Sequence, residues 1–379
     1  MRRWITAMLL LGAVSPAAAV PDFVFSDNFE GAWVAGYHVG YQKDLYPIAN
    51  VDFAALTHLM IGRIVPKADG SLDATFDIDA VNGPLWAKQA VAAAHAHGVK
   101  AVAMLGGAGE YAGWVGAASA AHRATFVANL VQAANDYGFD GFDLDWEPLN
   151  PADQPNFIAL AQALRAARAG VILTVPVGWA NANFQNANSP DTFYGTIAPL
   201  FDQINIMSYG MAGAWDGWQS WYTSAVTGSG GSTPSSIDTS VPFYLASGVP
   251  SRRLGIGIGF YGMCWSGVTA AHQAPGSVVA DDNTMSYANI MSGYYSAARY
   301  HYDAAAQAPW LASSSAFGAA GCTFVSYEDA TSIAAKGAYV RANRLGGTII
   351  WTIAEGHRTD VAGAQQDALL DAVKAGFRP

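Results

Sequence analysis

The sequence has 379 residues, 52% hydrophobic and 13% charged, enough to bury a sizeable core in one large domain or two ordinary ones. Its 29 acidic residues outweigh 19 basic ones, and no Lys/Arg cluster interrupts that balance. Nucleic acid and anionic membrane are thereby excluded as expected partners, and the chain is read as a monomer.

The chain opens like a secretory signal. Arg2 and Arg3 precede an apolar run from Trp4 to Val14, and Ala17-Ala-Ala19 offers a small-residue cleavage site. The run is too short to span a bilayer, and no later stretch is long and apolar enough to do so. Removing residues 1–19 lowers the basic count from 19 to 17 and leaves 20–379 with a net charge near −12. A secreted protein, extracellular or periplasmic, is expected.

Beyond the signal, β-like runs alternate with helix-like ones. Candidate strands are Trp33–His38, Leu56–Val65, Ala101–Leu105, Gly141–Glu147, Val171–Val177, Gln203–Tyr209, Leu254–Phe260 and Thr348–Ile353. Most are near-continuous apolar runs, as parallel strands covered on their outer face should be. Helical patterns lie at Trp86–His97, Ala120–Tyr137, Asp153–Ala169, Asp191–Leu200, Val241–Ser247 and Thr331–Asn343, and Ala364–Ala375 adds one near the end. Eight strand repeats favour an eightfold β/α (TIM) barrel over an open doubly wound sheet. The long connection after the seventh strand reads as a small α+β insertion, Met263–Cys322, since so long a loop carries structure of its own. The Gly/Ser-rich stretch Thr227–Ser236 reads as a flexible loop. Residues 20–379 are thus read as one catalytic barrel that includes 263–322.

The two cysteines, Cys264 and Cys322, flank the insertion. In an exported chain they form a disulfide or stay as two thiols, and sequence leaves both open. His95 and His97 do not share a helix face, so no metal site is expected, and no cofactor. Gly257-x-Gly259-x-x-Gly262 imitates a dinucleotide fingerprint but lies within and at the end of a strand, where that motif cannot work. No Gly-x-Ser-x-Gly elbow is present, which argues against a serine hydrolase.

The chemistry concentrates in Asp140-Gly-Phe-Asp-Leu-Asp-Trp-Glu147. On a strand, Asp143, Asp145 and Glu147 point one way and Phe142, Leu144 and Trp146 the other. In a barrel, active sites form at the C-terminal strand ends. Glu147 is outermost, before Pro148, with Asp145 and Asp143 in successive layers beneath. Neighbouring carboxylates cannot all ionise cheaply, so a proton is retained and one pKa rises. That suits a general acid at neutral pH. On the sixth strand Gln203, Asn205, Met207 and Tyr209 share a face and suggest a lined site. Tyr111, Trp114, Trp179, Phe184, Trp215, Trp218, Trp221 and Trp265 follow strand ends. With Trp351 in the eighth strand, they suggest a groove whose aromatic faces stack on sugar rings.

Asp140-x-x-Asp143-x-Asp145-x-Glu147 resembles the signature of the chitinases of glycoside hydrolase family 18. Val34-Ala-Gly-Tyr37, Leu56-Thr-His58, Met207-x-Tyr209, Leu254-Gly-Ile with Phe260-Tyr-Gly262, Ser326-Tyr-Glu-Asp329 and Gly346-Gly-Thr-Ile-Ile-Trp351 are similar to further segments of that family. The resemblance implies hydrolysis of β-1,4-linked N-acetylglucosamine in chitin or its oligosaccharides, with retention and by substrate assistance. Glu147 would be the acid, Asp145 would orient the acetamido group, Asp143 would tune Asp145, and Tyr209 would bind the acetamido oxygen. Trp351, Met207, Tyr37 and Trp215 are the expected substrate contacts. Alternatives on the same scaffold are an endo-β-N-acetylglucosaminidase of glycoprotein glycans and a non-catalytic chitin-binding lectin. Three departures stand out. Met104-Leu-Gly-Gly107 lacks the family's serine, Gly210 replaces an aspartate after Tyr209, and Arg63 replaces an aromatic residue. Arg63 is expected to contact a carboxylate near the site. Asp140, off the inward face, is expected to be structural.

Overall fold

The structure, a computed structural model, describes residues 31–378; the signal-like segment lies outside them. Eight parallel strands close on themselves: Trp33–Val39, His58–Pro66, Lys100–Gly106, Gly141–Asp145, Ile172–Val177, Gln203–Ile206, Leu254–Gly259 and Gly347–Trp351. The first strand pairs with both the eighth, Ala35 opposite Ile349, and the second, Tyr37 opposite Met60. That closure excludes the open sheet. Helices such as Asn82–Ala96, Arg123–Tyr137, Gln154–Ala167 and Ala330–Ala342 run between strands.

Two apolar layers result from the period-2 alternation of side chains. Outward-facing Leu59, Ile61, Phe142, Leu144 and Ile204 join the helices in the large core. Inward-facing Ala35, Tyr37, Met60, Val102, Met104 and Ile349 fill the barrel. Fully burying each large apolar side chain contributes roughly 1.5–3 kcal/mol, and this sets the strand register. A one-residue slip would move Asp143 and Asp145 into the helical layer.

After the seventh strand the chain builds a second, antiparallel sheet of five strands: Met263–Ser266, Ser277–Ala280, Tyr300–Asp303, Ala308–Phe317 and Cys322–Ser326. A short helix, Tyr287–Gly293, accompanies it. The last strand carries this sheet four residues past Cys322, the limit read from sequence. Cys264 and Cys322 lie on neighbouring strands and are bonded, with Cα atoms 5.4 Å apart.

Thr227–Ser236 is not the loose loop its composition suggests. Thr233, Ser235 and Ser236 are buried. Ser229 Oγ bonds Ser236 Oγ at 2.6 Å, and Ser235 Oγ donates to the Ala180 carbonyl at 2.6 Å. The hydroxyls satisfy one another and the backbone, so composition misleads. Among the described residues, no helix is long and apolar enough to cross a membrane.

Candidate active site

The fourth strand places Asp143 and Asp145 inside the barrel, and Glu147 two residues past its end at Asp145. Pro148 follows and has no N–H to extend the ladder. Trp146 faces outward and stacks on Trp114, centroids 5.3 Å apart. Trp114 Nε1 donates to the Asp145 carbonyl at 3.0 Å, and Gly107 N to the same oxygen at 2.8 Å. The backbone beneath the acids is therefore held from two sides.

Asp143 is fully buried. Tyr37 Oη donates to its Oδ2 at 2.6 Å and Thr174 Oγ1 to its Oδ1 at 2.5 Å. Burial pushes its carboxyl up to about 6, the two hydrogen bonds pull down, and the Glu147 charge adds to the rise. Asp145 is raised well above the carboxylate range by burial, then by Glu147 and Asp143, with Arg63 opposing. Glu147 is half-buried and also raised by burial, against a hydrogen bond from Asp145. The Asp145–Glu147 pair thus holds a proton as a unit. Asp145 Oδ1 is buried with no hydrogen-bond partner, and a buried acceptor without a donor is costly.

A cavity of about 570 Å³ opens over these acids. Asp145, Glu147, Tyr37, Met207, Tyr209 and Trp351 all line it. Asp143 lies beneath it, behind Tyr37. The Tyr37 and Trp351 rings sit 5.3 Å apart. Tyr209 lies past its strand's end, where the Ser208 hydroxyl replaces a backbone partner: it donates to Gly257 O at 2.9 Å and accepts from Gly257 N at 2.8 Å. Trp215 does not line the cavity; it is 46% exposed and packs near Trp179, centroids 6.1 Å apart.

Several expectations need correction. Gln203 and Asn205 form a polar layer away from the cavity. Asn205 Oδ1 accepts from Trp33 Nε1 at 3.1 Å, and Gln203 reaches His58. Trp114, Trp221 and Trp265 are buried in cores, not arrayed on a rim. The expectation that Arg63 contacts a carboxylate near the site is met: it pairs with Asp77, which lines the cavity, and with Glu110, each at 3.1 Å. Asp140 accepts from Ala101 N and bonds His95, both at 2.8 Å. Burial opposes its charge, yet these partners and Lys100 hold its carboxyl low. Gly257 and Gly259 serve packing: a Cβ at either would lie 2.6 Å from the ring of Tyr209 or Tyr261 respectively.

Sequence reasoning missed Tyr41, Asp77, Tyr261 and Asp282, all lining the cavity. Tyr261 had a signal, since it follows the seventh strand just as Tyr209 follows the sixth. Asp282 had none, because it reaches the cavity from the second sheet's connection. Its Oδ1 accepts from Trp351 Nε1 at 3.2 Å and its Oδ2 from Asn283 at 2.6 Å. Among the described residues, no cluster of His, Cys, Asp and Glu could hold a metal ion.

The family model of the glycosyl hydrolases family 18 matches residues 34–356. The chain belongs to that family. Chitinase A1 of Niallia circulans is 29% identical over 62% of this chain and 38% of its own length. A probable endochitinase of Caenorhabditis elegans is 28% identical over 62% of this chain and 40% of its own. The chain thus spans about two fifths of the length of these relatives. The fold matches that of an Ostrinia furnacalis Group IV chitinase in complex with allosamidin, with a TM-score of 0.75, 22% identity and coverage of 91% of this chain and 98% of that one.

Proposed function

We propose that the protein is a chitinase, hydrolysing β-1,4 linkages between N-acetylglucosamine units with retention of configuration. The observation that carries this is the buried, unpartnered Asp145 Oδ1 beside Glu147, whose carboxyl burial pushes up. A 2-acetamido N–H is the donor that fits this acceptor. Once bound, it turns the acetamido oxygen toward the anomeric carbon. Glu147 protonates the glycosidic oxygen while the acetamido oxygen attacks the anomeric carbon from the opposite face. The bond from that carbon to the glycosidic oxygen breaks, the leaving sugar departs as an alcohol, and an oxazolinium ion remains. Glu147 then takes a proton from the incoming water, which opens the ring with retention. Tyr209 bonds the acetamido oxygen, Asp143 tunes the charge on Asp145, and Trp351 floors the subsite with Met207 and Tyr37 beside it. Trp215 and Trp179 continue the platform outside the cavity.

The other lining carboxylates are engaged, Asp77 by Arg63 and Asp282 by Trp351 and Asn283. This supports the substrate's own acetamido group as nucleophile rather than a second enzyme carboxylate. The disulfide supports export to an oxidising compartment.

Replacing Glu147 with Gln is expected to lower turnover of chitin oligomers by about 10²–10⁴ while calorimetric oligomer binding persists. Unchanged turnover would refute the acid role. Binding without cleavage by the native protein would make it a lectin, and cleavage of a high-mannose glycoprotein alone would make it an endo-β-N-acetylglucosaminidase. NMR of the first-formed product is expected to show the β anomer.

A further inference from the structure

Among the described residues lining the cavity, Arg63 alone is basic. Every nitrogen of its guanidinium is engaged, by Asp77 on one side and by the turn from Gly106 to Glu110 on the other. Nε donates to Asp77 Oδ2 at 3.1 Å and to Oδ1 at 3.3 Å. Nη2 pairs with Glu110 Oε1 at 3.1 Å, and Nη1 donates to the Gly106 carbonyl at 2.9 Å. A free arginine side chain holds about 2 kcal/mol of rotamer entropy. Here charge-assisted bonds in several directions offset its loss and fix the charge in place.

That place is opposite the acids. Arg63 grips the Gly106 carbonyl, and the next residue donates from Gly107 N to the Asp145 carbonyl at 2.8 Å. Gly106 and Gly107 both have positive φ, +80° and +95°, and a Cβ on Gly106 would meet Trp114 Nε1 at 2.1 Å. The turn is therefore a thin glycine partition. The point where a Gly107 Cβ would stand is 3.7 Å from Arg63 Nη1 and 3.6 Å from Asp145 Oδ2. Met104 Cε is 3.3 Å from the same point and offers no hydroxyl to Asp145. A fixed cation across a partition with no side chain favours the carboxylate form of what it faces.

We propose that Arg63 is a positioning residue for the proposed hydrolysis: its clamped guanidinium sets the charge on Asp145 and, through their shared proton, the protonation state in which Glu147 meets substrate. The assignment of roles rests on the proposed function, whereas the electrostatic coupling does not. Asp77 and Glu110 partly cancel the Arg63 charge. Among the described residues the other ionisable groups lining the cavity are Asp145 at the end of the fourth strand and Glu147 just past it, Tyr37 on the first strand and Tyr41 after it, Tyr209 after the sixth, Tyr261 after the seventh and Asp282 from the second sheet's connection, with Asp143 buried beneath them. Arg63 and these acids form one charge system, so removing a member on either side moves Asp145, in opposite directions.

The test is a carbon-detected NMR titration of aspartate-labelled protein, without substrate, alongside the pH profile of kcat/KM on chitin oligomers. Arg63→Met is expected to raise the Asp145 titration midpoint and the acidic limb by about half to one pH unit. Arg63→Lys, which keeps the charge and loses the fork, should move both by less than half as much. Asp77→Asn removes a counter-charge and should move both downward. Arg63→Met and Asp77→Asn that leave the Asp145 midpoint in place, with only the melting temperature altered, would overturn the proposal and make Arg63 a structural clamp. If Arg63→Met does not fold, the opposite-signed shifts of Arg63→Lys and Asp77→Asn decide the matter. Native protein that titrates as expected but cleaves no oligomer would sink the chitinase reading and leave the coupling standing.

Discussion

Two buried carboxylate systems answer the same problem differently. At the start of helix Ala330–Ala342, Glu328 is buried against Lys336, which is fully buried too, and Ser332 Oγ donates to Glu328 Oε2 at 2.6 Å. Burial lowers the Lys336 pKa while Glu328 opposes the fall, and the pair is neutral overall. Around the C-terminal end of the fourth barrel strand, Asp143, Asp145 and Glu147 crowd together with no cation bonded to any of them. The first cluster is closed, each charge having its partner. The second holds surplus proton affinity and an idle acceptor. Both are buried acids, and only the unpaired one sits where a ligand can reach it. Burial of charge alone therefore does not mark a site; here an incompletely partnered buried acid also opens onto the cavity.

Substitutions can break this contrast. Lys336→Met should cost most, about 3–5 kcal/mol, because it strands the Glu328 charge in the core. Thermal unfolding would show the drop, and activity per folded molecule should be unaltered. Asp145→Asn should do the reverse, with turnover falling about 10²–10³ and no loss of fold. Its pH behaviour gives a second check. The Asp145 pKa is raised in the folded state, so its stabilising contribution is complete below the ordinary carboxylate pKa. That contribution is lost as pH climbs toward the folded value. The melting temperature of Asp145→Asn should thus gain on the native protein from pH 4 to pH 7. If both variants lose stability and activity alike, the contrast between the clusters fails.

Glu355 supplies a milder intermediate case. It is buried, accepts from Gln42 at 2.8 Å through Oε1, and leaves Oε2 unpartnered. Burial, then the Asp282 charge, push its carboxyl up to about 8. The same sign applies: the proton is held below about pH 8, and stability falls as pH rises from the ordinary carboxylate range through 8. Glu355→Gln should therefore stabilise the protein near pH 8, on the order of 1–3 kcal/mol, and the gain should vanish near pH 4.

The barrel and the acid ladder were legible because both are written in local periodicity. Near-continuous apolar runs marked most staves, and Asp143, Asp145 and Glu147 alternate with Phe142, Leu144 and Trp146. What stayed hidden depends on partners distant in the chain. Trp114 reads like a rim residue but is drawn under the site by Trp146. Gln203 and Asn205 share parity with Tyr209 yet lie at a different depth, and depth is set by where the strand begins pairing. Serine-rich Thr227–Ser236 looked loose because composition does not reveal that its hydroxyls find each other. Asp282 arrives at Trp351 through an insertion whose placement no alternation encodes.

The bare positions of the seventh strand have a consequence for how this protein can change. Gly257 and Gly259 are moulds for the rings of Tyr209 and Tyr261: the empty volume of one strand is the shape of its neighbours' side chains. A single methyl group there would shift a cavity wall while every ionisable residue kept its identity. Residues with no functional group thus hold a veto over the chemistry. Evolution toward a wider or narrower subsite has to pass through the tyrosines first and the glycines second, because the ring must shrink before the mould can fill.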